Sequence, residues 1–279
     1  MLSVEADRPT AALDPPAAIR PFLSARGGDI RLRYRERRPE PASDGERLFD
    51  SGGVWRVERV GTRLVYSFRV RNRRPPLYKA VTIDAALHSG TLDFDAAASG
   101  PRYALDYPLD ELLFQHRLAR DGAVEVHACG VVWRGRALVF CGRSGAGKST
   151  TARLWRRHAK GARPLSDDRL ILRPGRRASR VYGTPWHGDG GFASPESAPL
   201  AALLFLRHGA RTRLAPLSRG EAAARLFTRS FPPPWDREGV ARALDACADA
   251  AAQAPAFELW FRPDRSAVVA VQEAARALA

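Results

Sequence analysis

Lysine is nearly absent from this chain. Only Lys79, Lys148 and Lys160 occur in 279 residues, and arginine accounts for the other 42 of the 45 basic residues. Such a bias indicates that most basic positions tolerate a guanidinium group. A lysine that is retained in a motif therefore points to a position where a compact ammonium group on a flexible stem is needed.

Cysteine is also scarce, and long apolar runs are missing. Cys129, Cys141 and Cys247 are odd in number and irregularly spaced, which excludes a disulfide framework or a zinc knuckle and predicts buried thiols in a reducing compartment. No run approaches the roughly 18 apolar residues of a membrane-spanning helix, and residues 1–20 lack the apolar centre of a signal peptide. We expect a cytoplasmic protein without membrane association.

Acidic residues are too few to balance the arginines. The chain has 45 basic and 30 acidic residues and a formal net charge of +15. The excess is scattered, however, and no basic block with interleaved aromatic residues resembles a platform for single-stranded nucleic acid. We therefore expect no nucleic-acid partner.

The pattern of apolar residues predicts three regions. Residues 1–24 are rich in Pro and Ala without periodicity and are expected to be a poorly ordered lead-in. Residues 25–107 contain alternating runs typical of an antiparallel, β-rich region with one solvated face. Residues 108–279 alternate strands and helices and are predicted to be an α/β catalytic domain.

The strongest motif lies in the third region. The segment from Gly142 to Ser149 has the spacing G-x-x-x-x-G-K-S of a phosphate-binding loop, between a predicted strand from Ala137 to Cys141 and a predicted helix at 150–157. Backbone N–H groups of such a loop surround phosphate oxygens, while Lys148 reaches the β- and γ-phosphates and the Ser149 hydroxyl binds Mg²⁺. The predicted nucleotide contacts are Gly142, Arg143, Ser144, Gly145, Ala146, Gly147, Lys148, Ser149 and Thr150.

A hairpin precedes this loop, and a pair of carboxylates follows it. Strands at 124–133 and 137–141 are predicted to pair antiparallel, which is unusual for phosphate-loop proteins built on parallel sheets. Asp167 and Asp168 interrupt a predicted strand from Leu165 to Leu172. Adjacent residues of a strand face opposite ways, and buried carboxylates need a cation or a polar partner. Phosphoryl transfer uses such groups to hold Mg²⁺ and to orient or deprotonate the attacking hydroxyl.

Together with His127 in the hairpin, these motifs resemble the HPr kinase/phosphorylase family and, more remotely, ATP-dependent phosphoenolpyruvate carboxykinase. In both cases a strand histidine precedes the loop, and an Asp-Asp pair follows on the next strand. The resemblance implies a nucleotide-binding core of that fold, with ATP and Mg²⁺ as cofactors. It also implies that His127 lies near the metal and phosphate site, that one of the two aspartates is the catalytic base and that the other approaches Mg²⁺. We assign the base to Asp167 and the metal to Asp168, together with Ser149 of the loop. Self-association is implied too, because HPr kinases are hexamers.

In HPr kinase/phosphorylases of sugar regulation, a glycine-rich signature follows the Asp-Asp strand and contributes to phosphorylase activity. We do not find this signature in the present sequence. The segments Gly183–Gly188, Pro216–Ser218 and Phe257–Leu259 are more similar to HPr-kinase-like proteins of peptide natural-product clusters, including lasso-peptide kinases. Their acceptor would be a serine hydroxyl of a small protein or precursor peptide.

Two other functions stay open for this core: a kinase of small-molecule alcohols, and a nucleotide-binding regulatory protein without turnover. Trp186 and His187 are candidates for the acceptor pocket or for a rigid aromatic turn. Arg180 and Arg207 are candidates for stabilising transition-state charge.

Overall fold

The computed structural model describes residues 1–70, 77–100 and 102–277. The chain forms two compact units, Met1–Arg117 and Leu118–Ala279. The predicted region 25–107 includes residues 71–76 and 101, and the predicted region 108–279 includes 278–279; these lie outside the described residues. Within the described part the chain is α/β, with two β-sheets and six α-helices. None of the described helices combines the length and the hydropathy that a bilayer span requires.

The first unit is dominated by strands. Its elements are β1 (Leu2–Ala6), β2 (Ile30–Glu36), β3 (Glu46–Asp50), β4 (Trp55–Val60), β5 (Arg63–Phe68), β6 (Lys79–Asp84), β7 (Ser89–Phe94), α1 (Ala96–Ser99) and α2 (Leu109–Arg120), of which α2 runs past the unit boundary. The strands form one sheet in the order β1-β2-β7-β6-β5-β4-β3.

This sheet is mixed, whereas the sequence predicted a wholly antiparallel one. The strands from β3 to β7 pair antiparallel, but β2 runs parallel to both β7 and β1. One face of the sheet was expected to be solvated. At β5, however, both faces are covered, because Leu64 to Phe68 are all buried. One reason is that α2 lies against this strand: the hydroxyl of Tyr66 is 2.6 Å from Nδ1 of His116.

The expected disordered lead-in also contains structure. Residues 2–6 form β1, which pairs in parallel with β2 from Ile30 to Tyr34. The backbone N–H of Gly28 donates to the Ser3 hydroxyl, and the amino group of Met1 lies 2.6 Å from the Asp29 carboxylate. The hydrogen bonds of this segment therefore come from residues about 25 positions away, which local composition does not reveal.

The second unit alternates strands and helices. Its elements are β8 (Val124–Trp133), β9 (Arg136–Cys141), α3 (Lys148–His158), β10 (Arg163–Ser166), β11 (Arg169–Arg173), β12 (Arg180–Gly183), β13 (Ser197–His208), β14 (Arg213–Pro216), α4 (Arg219–Phe227), α5 (Arg237–Gln253), β15 (Ala256–Phe261) and α6 (Arg265–Ala277).

The predicted hairpin before the phosphate loop is confirmed. β8 and β9 pair antiparallel, with Ala128 opposite Cys141. β9 then runs parallel to β13, and β13 runs parallel to β15. The carboxyl ends of these three parallel strands therefore share one edge of the sheet with the beginning of β8, and the loop after β9 lies at that edge.

Helices cover both faces of this sheet. On one face Trp155 of α3 is 1% exposed and packs edge-on against Trp133, with ring centroids 5.8 Å apart, and Val268 of α6 joins the same core. On the other face Leu226 of α4 and small residues of α5 pack against β8, β9 and β13. Ser218 begins α4 with a capping box, which supplies bonds to its first N–H groups. Both layers position the edge that carries the phosphate loop.

The predicted strand from Leu165 to Leu172 is two strands, β10 and β11, which both pair with β8. The chain bends between them because the Ser166 hydroxyl accepts hydrogen bonds from the N–H groups of Asp168 and Arg169, both at 3.2 Å. The two aspartates lie in this break and do not alternate along a strand.

Candidate functional site

The phosphate loop joins β9 to α3 with a backbone that needs glycine. Gly145 and Gly147 have φ angles of +77° and +97°, which residues with a side chain rarely adopt. A Cβ atom at Gly147 would also lie 2.6 Å from the ring of Phe261. Since α3 begins directly after Gly147, the loop directs backbone N–H groups and the positive end of the helix to the same point.

Lys148 begins α3 and is only 7% exposed. Its Nζ atom donates to the carbonyl oxygens of Gly142 and Arg143, each at 3.3 Å. Burial lowers the pKa of Lys148, although the nearby carboxylate of Asp168 raises it in part. Its ammonium group is therefore folded over the loop, where bound phosphate oxygens would compete with the two carbonyls.

Asp167 is buried, at 1% exposure, and both of its oxygens accept hydrogen bonds. Oδ2 accepts from the Ser149 hydroxyl at 2.6 Å and from the N–H of Gly190 at 2.8 Å. Oδ1 accepts from the N–H groups of Gly188 at 3.0 Å and Phe192 at 3.3 Å. This carboxylate therefore connects the first turn of α3 to the loop after β12.

Asp168 has different surroundings. Its side chain is 27% exposed, and its Oδ1 lies 2.8 Å from Nε2 of His127. Its Oδ2 accepts from Arg169 at 2.5 Å. Burial raises the pKa of Asp168, but the bond from His127 and the charge of Arg169 outweigh that effect and keep the pKa below its ordinary range. Asp168 is thus an ionised carboxylate beside an imidazole.

Strand register brings His127 and Asp168 together. Arg169 of β11 is opposite His127 of β8, and the N–H of Ala128 donates to the carbonyl of Asp168 at 3.0 Å. The N–H of His127 in turn donates to the carbonyl of Arg229 at 2.7 Å. The ring of Phe231 packs near His127 and lies under Arg169, at 4.2 Å from its guanidinium carbon.

A cleft of about 450 Å³ unites most of the predicted site. It is lined by His127, Ser144, Gly145, Gly147, Lys148, Ser149, Thr150, Arg153, Asp167, Asp168, Gly188 and Asp189. Imidazole, ammonium and paired carboxylates therefore face one space.

Seven of the predicted or candidate residues are not among those that line the cleft, as far as the described residues show: Gly142, Arg143, Ala146, Arg180, Trp186, His187 and Arg207. Gly142 and Arg143 instead supply the carbonyls that bind Lys148, and Ala146 packs on the core under α3. The His187 ring is exposed and contacts the carbonyl of Gly188, whereas the carbonyl of Trp186 accepts from the Ser166 hydroxyl at 3.4 Å.

The structure adds residues that the motifs did not indicate. Arg153 lines the cleft one helical turn beyond Ser149, a spacing that was visible in the sequence. Gly188 and Gly190 bring backbone close to Asp167, and a Cβ atom at Gly190 would lie 2.5 Å from its Oδ2. The three glycines among residues 188–191 were a signal for such a close backbone approach, but they do not reveal the partner.

The oxygen donors of the cleft fit a hard cation whose coordination is completed by other ligands. No group of three or more His, Cys, Asp or Glu side chains arranged for a metal occurs in residues 1–70, 77–100 and 102–277. The adjacent Ser149 hydroxyl and Asp167 carboxylate offer oxygen ligands, and Mg²⁺ is commonly held by one or two carboxylates together with substrate phosphates and water. The pair therefore suits Mg²⁺ that arrives with a phosphate ligand.

No family model matches this chain, and no curated protein sequence matches it either.

Proposed function

We propose that this chain is an ATP-dependent kinase of the HPr-kinase-like type, which transfers the γ-phosphoryl group to the hydroxyl of a serine in a small protein or precursor peptide. One observation carries the proposal: the His127–Asp168 pair and the Ser149–Asp167 pair flank the same cleft as Lys148. A phosphate-binding loop alone would serve nucleotide binding. An ionised carboxylate paired with an imidazole beside it supplies what hydroxyl activation needs.

The contacts favour a division of roles between the two aspartates opposite to the one assigned from the sequence. Asp167 accepts four hydrogen bonds, one of them from the hydroxyl that is predicted to bind Mg²⁺. Asp168 is more exposed and is oriented by His127. We therefore assign the metal to Ser149 and Asp167 and the proton acceptor to Asp168.

When bound, magnesium ATP supplies the phosphoryl group and neutralises part of the phosphate charge. Lys148 and the loop N–H groups bind the phosphates. Asp168 takes the proton of the acceptor hydroxyl while the acceptor oxygen forms its bond to phosphorus, and ADP leaves with the electron pair of the broken bond. His127 holds the Asp168 carboxylate in position, which makes it a positioning residue in this scheme.

The test compares Asp168→Asn with Ser149→Ala and Asp167→Asn. Transfer from γ-labelled ATP to serine peptides, and to water where no acceptor works, measures turnover, while a fluorescent ATP analogue measures binding. We expect Asp168→Asn to lower kcat about 10²–10⁴-fold with nucleotide affinity retained. Ser149→Ala and Asp167→Asn should instead raise the Mg²⁺ concentration needed for half-maximal rate.

Circular dichroism identifies variants that fail to fold, and Ser149→Ala keeps the metal assignment testable if Asp167→Asn is one of them. Unchanged turnover in Asp168→Asn would remove this residue as the proton acceptor. ATP binding by the wild type without transfer to any peptide, small alcohol or water would overturn the kinase and support a nucleotide-binding regulatory protein.

A further inference from the structure

Four arginines gather near the phosphate loop and α4. Arg143 is the second residue of the loop, Arg207 is near the carboxyl end of β13, Arg225 is in the last turn of α4 and Arg229 follows that helix. Burial lowers the pKa of Arg229, and the positive charges of Arg143, Arg207 and Arg225 lower it further. We call these four residues the arginine cluster.

Carboxylates compensate only part of this charge. Oε1 of Glu258 accepts from Arg207 at 2.8 Å and from Arg225 at 2.7 Å, so one acidic group serves two guanidinium groups. Glu221, which caps α4, also acts on Arg225 but is exposed and bonded to Ser218. Four guanidinium groups therefore face two carboxylates.

The remaining two members, Arg143 and Arg229, differ from Arg207 and Arg225 in their partners. In the described part of the chain, neither Arg143 nor Arg229 forms an ion pair. Arg229 donates from Nη1 to the carbonyl of Arg225 at 3.1 Å and to the hydroxyl of Thr228 at 2.6 Å. Its Nε atom, however, is buried and has no hydrogen-bond partner. A buried donor without a partner is costly, and an anion that reached this atom would remove that cost.

The position of the cluster indicates which substrate it serves. The carbonyl of Arg229 accepts from the N–H of His127, and Ser230 bridges to Val126 of β8. Arg229 therefore belongs to the segment that flanks His127, and the ring of Phe231, two residues later, packs near the same imidazole. The nucleotide phosphates have their own proposed ligands in Lys148 and the loop N–H groups, so we assign an anion at the cluster to the other substrate, whose hydroxyl would meet the His127–Asp168 pair.

We propose that the arginine cluster binds an anionic group, a carboxylate or a phosphate, carried by the hydroxyl acceptor. The planar guanidinium fork suits both groups, since each offers two oxygens to parallel N–H donors. The assignment of this anion to the hydroxyl acceptor rests on the proposed function. It narrows that acceptor to hydroxyl compounds with a negative charge near the hydroxyl, such as an acidic peptide or a phosphorylated alcohol.

Direct binding tests the cluster without any turnover. The full chain is saturated with Mg²⁺ and the non-hydrolysable analogue AMPPNP, which fills the phosphate loop, and inorganic phosphate is titrated in a calorimeter. We expect phosphate to bind the wild type and to bind Arg207→Gln and Arg229→Gln at least about tenfold more weakly, because each change removes charged donors. The Arg207 side chain is 62% exposed, so Arg207→Gln keeps the test available if Arg229→Gln does not fold.

The matched control is Arg157→Gln. Arg157 is exposed near the end of α3, which covers the face of the sheet opposite to α4. This change therefore removes one positive charge at a position distant from the cluster. It should leave phosphate affinity within about twofold of the wild type. Absence of phosphate binding in the wild type, or equal binding by all variants, would overturn the arginine cluster as an anion site.

A transfer experiment identifies the source of the anion. Two acceptor pairs are compared: serine peptides with Asp or Asn beside the serine, and glycerol 3-phosphate or glycerol. In the pair that resembles the true acceptor, we expect kcat/KM to be at least about tenfold higher for the charged member than for the uncharged one. Most of this difference should come from a lower KM. Arg207→Gln should abolish this preference without changing the KM for ATP.

Equal rates for the charged and uncharged members of both pairs would overturn the assignment of the cluster to the acceptor. Phosphate binding that is lost in the variants, together with no transfer to any acceptor, would overturn the proposed kinase and still support the anion site. The two hypotheses therefore fail by different results.

Discussion

His127 and Asp168 are hydrogen-bonded side chains from neighbouring strands, with 2.8 Å between Nε2 and Oδ1. The imidazole belongs to the middle of a hairpin strand, whereas the carboxylate belongs to a bend between two strands. Because β8 pairs with both β10 and β11, this strand sets the position of the histidine and of the bend together. The pair is therefore a property of the sheet and does not depend on loop closure.

The first prediction concerns His127→Gln. This variant should lose about 10²-fold in kcat, because the Asp168 carboxylate is no longer oriented, while the KM for ATP changes little. The bond from His127 lowers the pKa of Asp168, so its loss should raise that pKa. Since protonated Asp168 cannot accept a proton, the acid limb of the kcat profile should move to higher pH.

The control is His158→Gln, at the end of α3, which should leave both kcat and the pH profile as in the wild type. A fall in kcat without any movement of the acid limb would indicate a merely structural role for His127.

The second prediction uses the rarity of lysine. Lys148→Arg should lower turnover about 10²-fold or more, because the buried ammonium group fits between two carbonyls where a guanidinium fork cannot. Nucleotide binding followed by fluorescence should weaken as well. Lys160→Arg is the matched control, since Lys160 is exposed beyond the end of α3, and it should behave like the wild type. A fully active Lys148→Arg would show that this position needs only a positive charge.

Local signals predicted the parts of the site that depend on neighbouring residues. The hairpin of β8 and β9, the glycine-containing loop and helix α3 follow one another directly, so spacing and periodicity were sufficient to predict these elements and their order. The surroundings of Asp167 and Asp168 could not be predicted in the same way. Asp167 is bonded by the N–H groups of Gly188, Gly190 and Phe192, more than 20 positions later, and both aspartates lie in a bend stabilised by the Ser166 hydroxyl.

The N-terminal unit shows the same limit. The alternating runs in β2, β4 and β5 predicted strands, but β1 lies among Pro-rich residues and is held by a parallel partner far along the chain. Parallel pairing leaves no turn signal, because its two strands are joined by a long connection. For this reason the sequence predicted an antiparallel sheet where the structure has a mixed one.

The third prediction concerns the shape of the phosphate loop. Gly147→Ala should destabilise the protein and abolish ATP binding, because the φ angle of +97° is strained for alanine and the new Cβ would lie 2.6 Å from the Phe261 ring. Thermal unfolding and the fluorescent nucleotide would measure these effects.

Gly220→Ala is the matched control. Gly220 lies in α4, and a Cβ there would meet nothing within 4 Å, so alanine should stabilise the helix by about 0.5–1 kcal/mol. ATP binding by Gly147→Ala at wild-type affinity would show that the loop adapts to a side chain.

The fourth prediction concerns Asp93, which joins β7 to β2 in the first unit. Its side chain is 8% exposed and accepts hydrogen bonds from Arg35 at 2.6 and 2.9 Å and from Arg37 at 2.9 Å. Burial raises the pKa of Asp93, but the bonds from Arg37 and Arg35 outweigh it, so the pKa lies below its ordinary range. A carboxyl with a lowered pKa stabilises the folded state above the pKa it has when unfolded, and this contribution is lost as the pH falls through the folded pKa.

Asp93→Asn should therefore lower the free energy of unfolding by about 2 kcal/mol at pH 7. The difference from the wild type should begin to shrink as the pH falls below about 4, where the carboxyl of the unfolded chain becomes neutral, and should shrink further as the pH falls through the lowered pKa of the folded state. Urea unfolding at pH 7 and pH 3, followed by circular dichroism, measures both values.

The control is Asp7→Asn, which removes the exposed ion pair with Arg33 and should change stability by less than about 1 kcal/mol. An equal loss of stability at both pH values in Asp93→Asn would show that packing, and not the charge of the carboxylate, accounts for the effect.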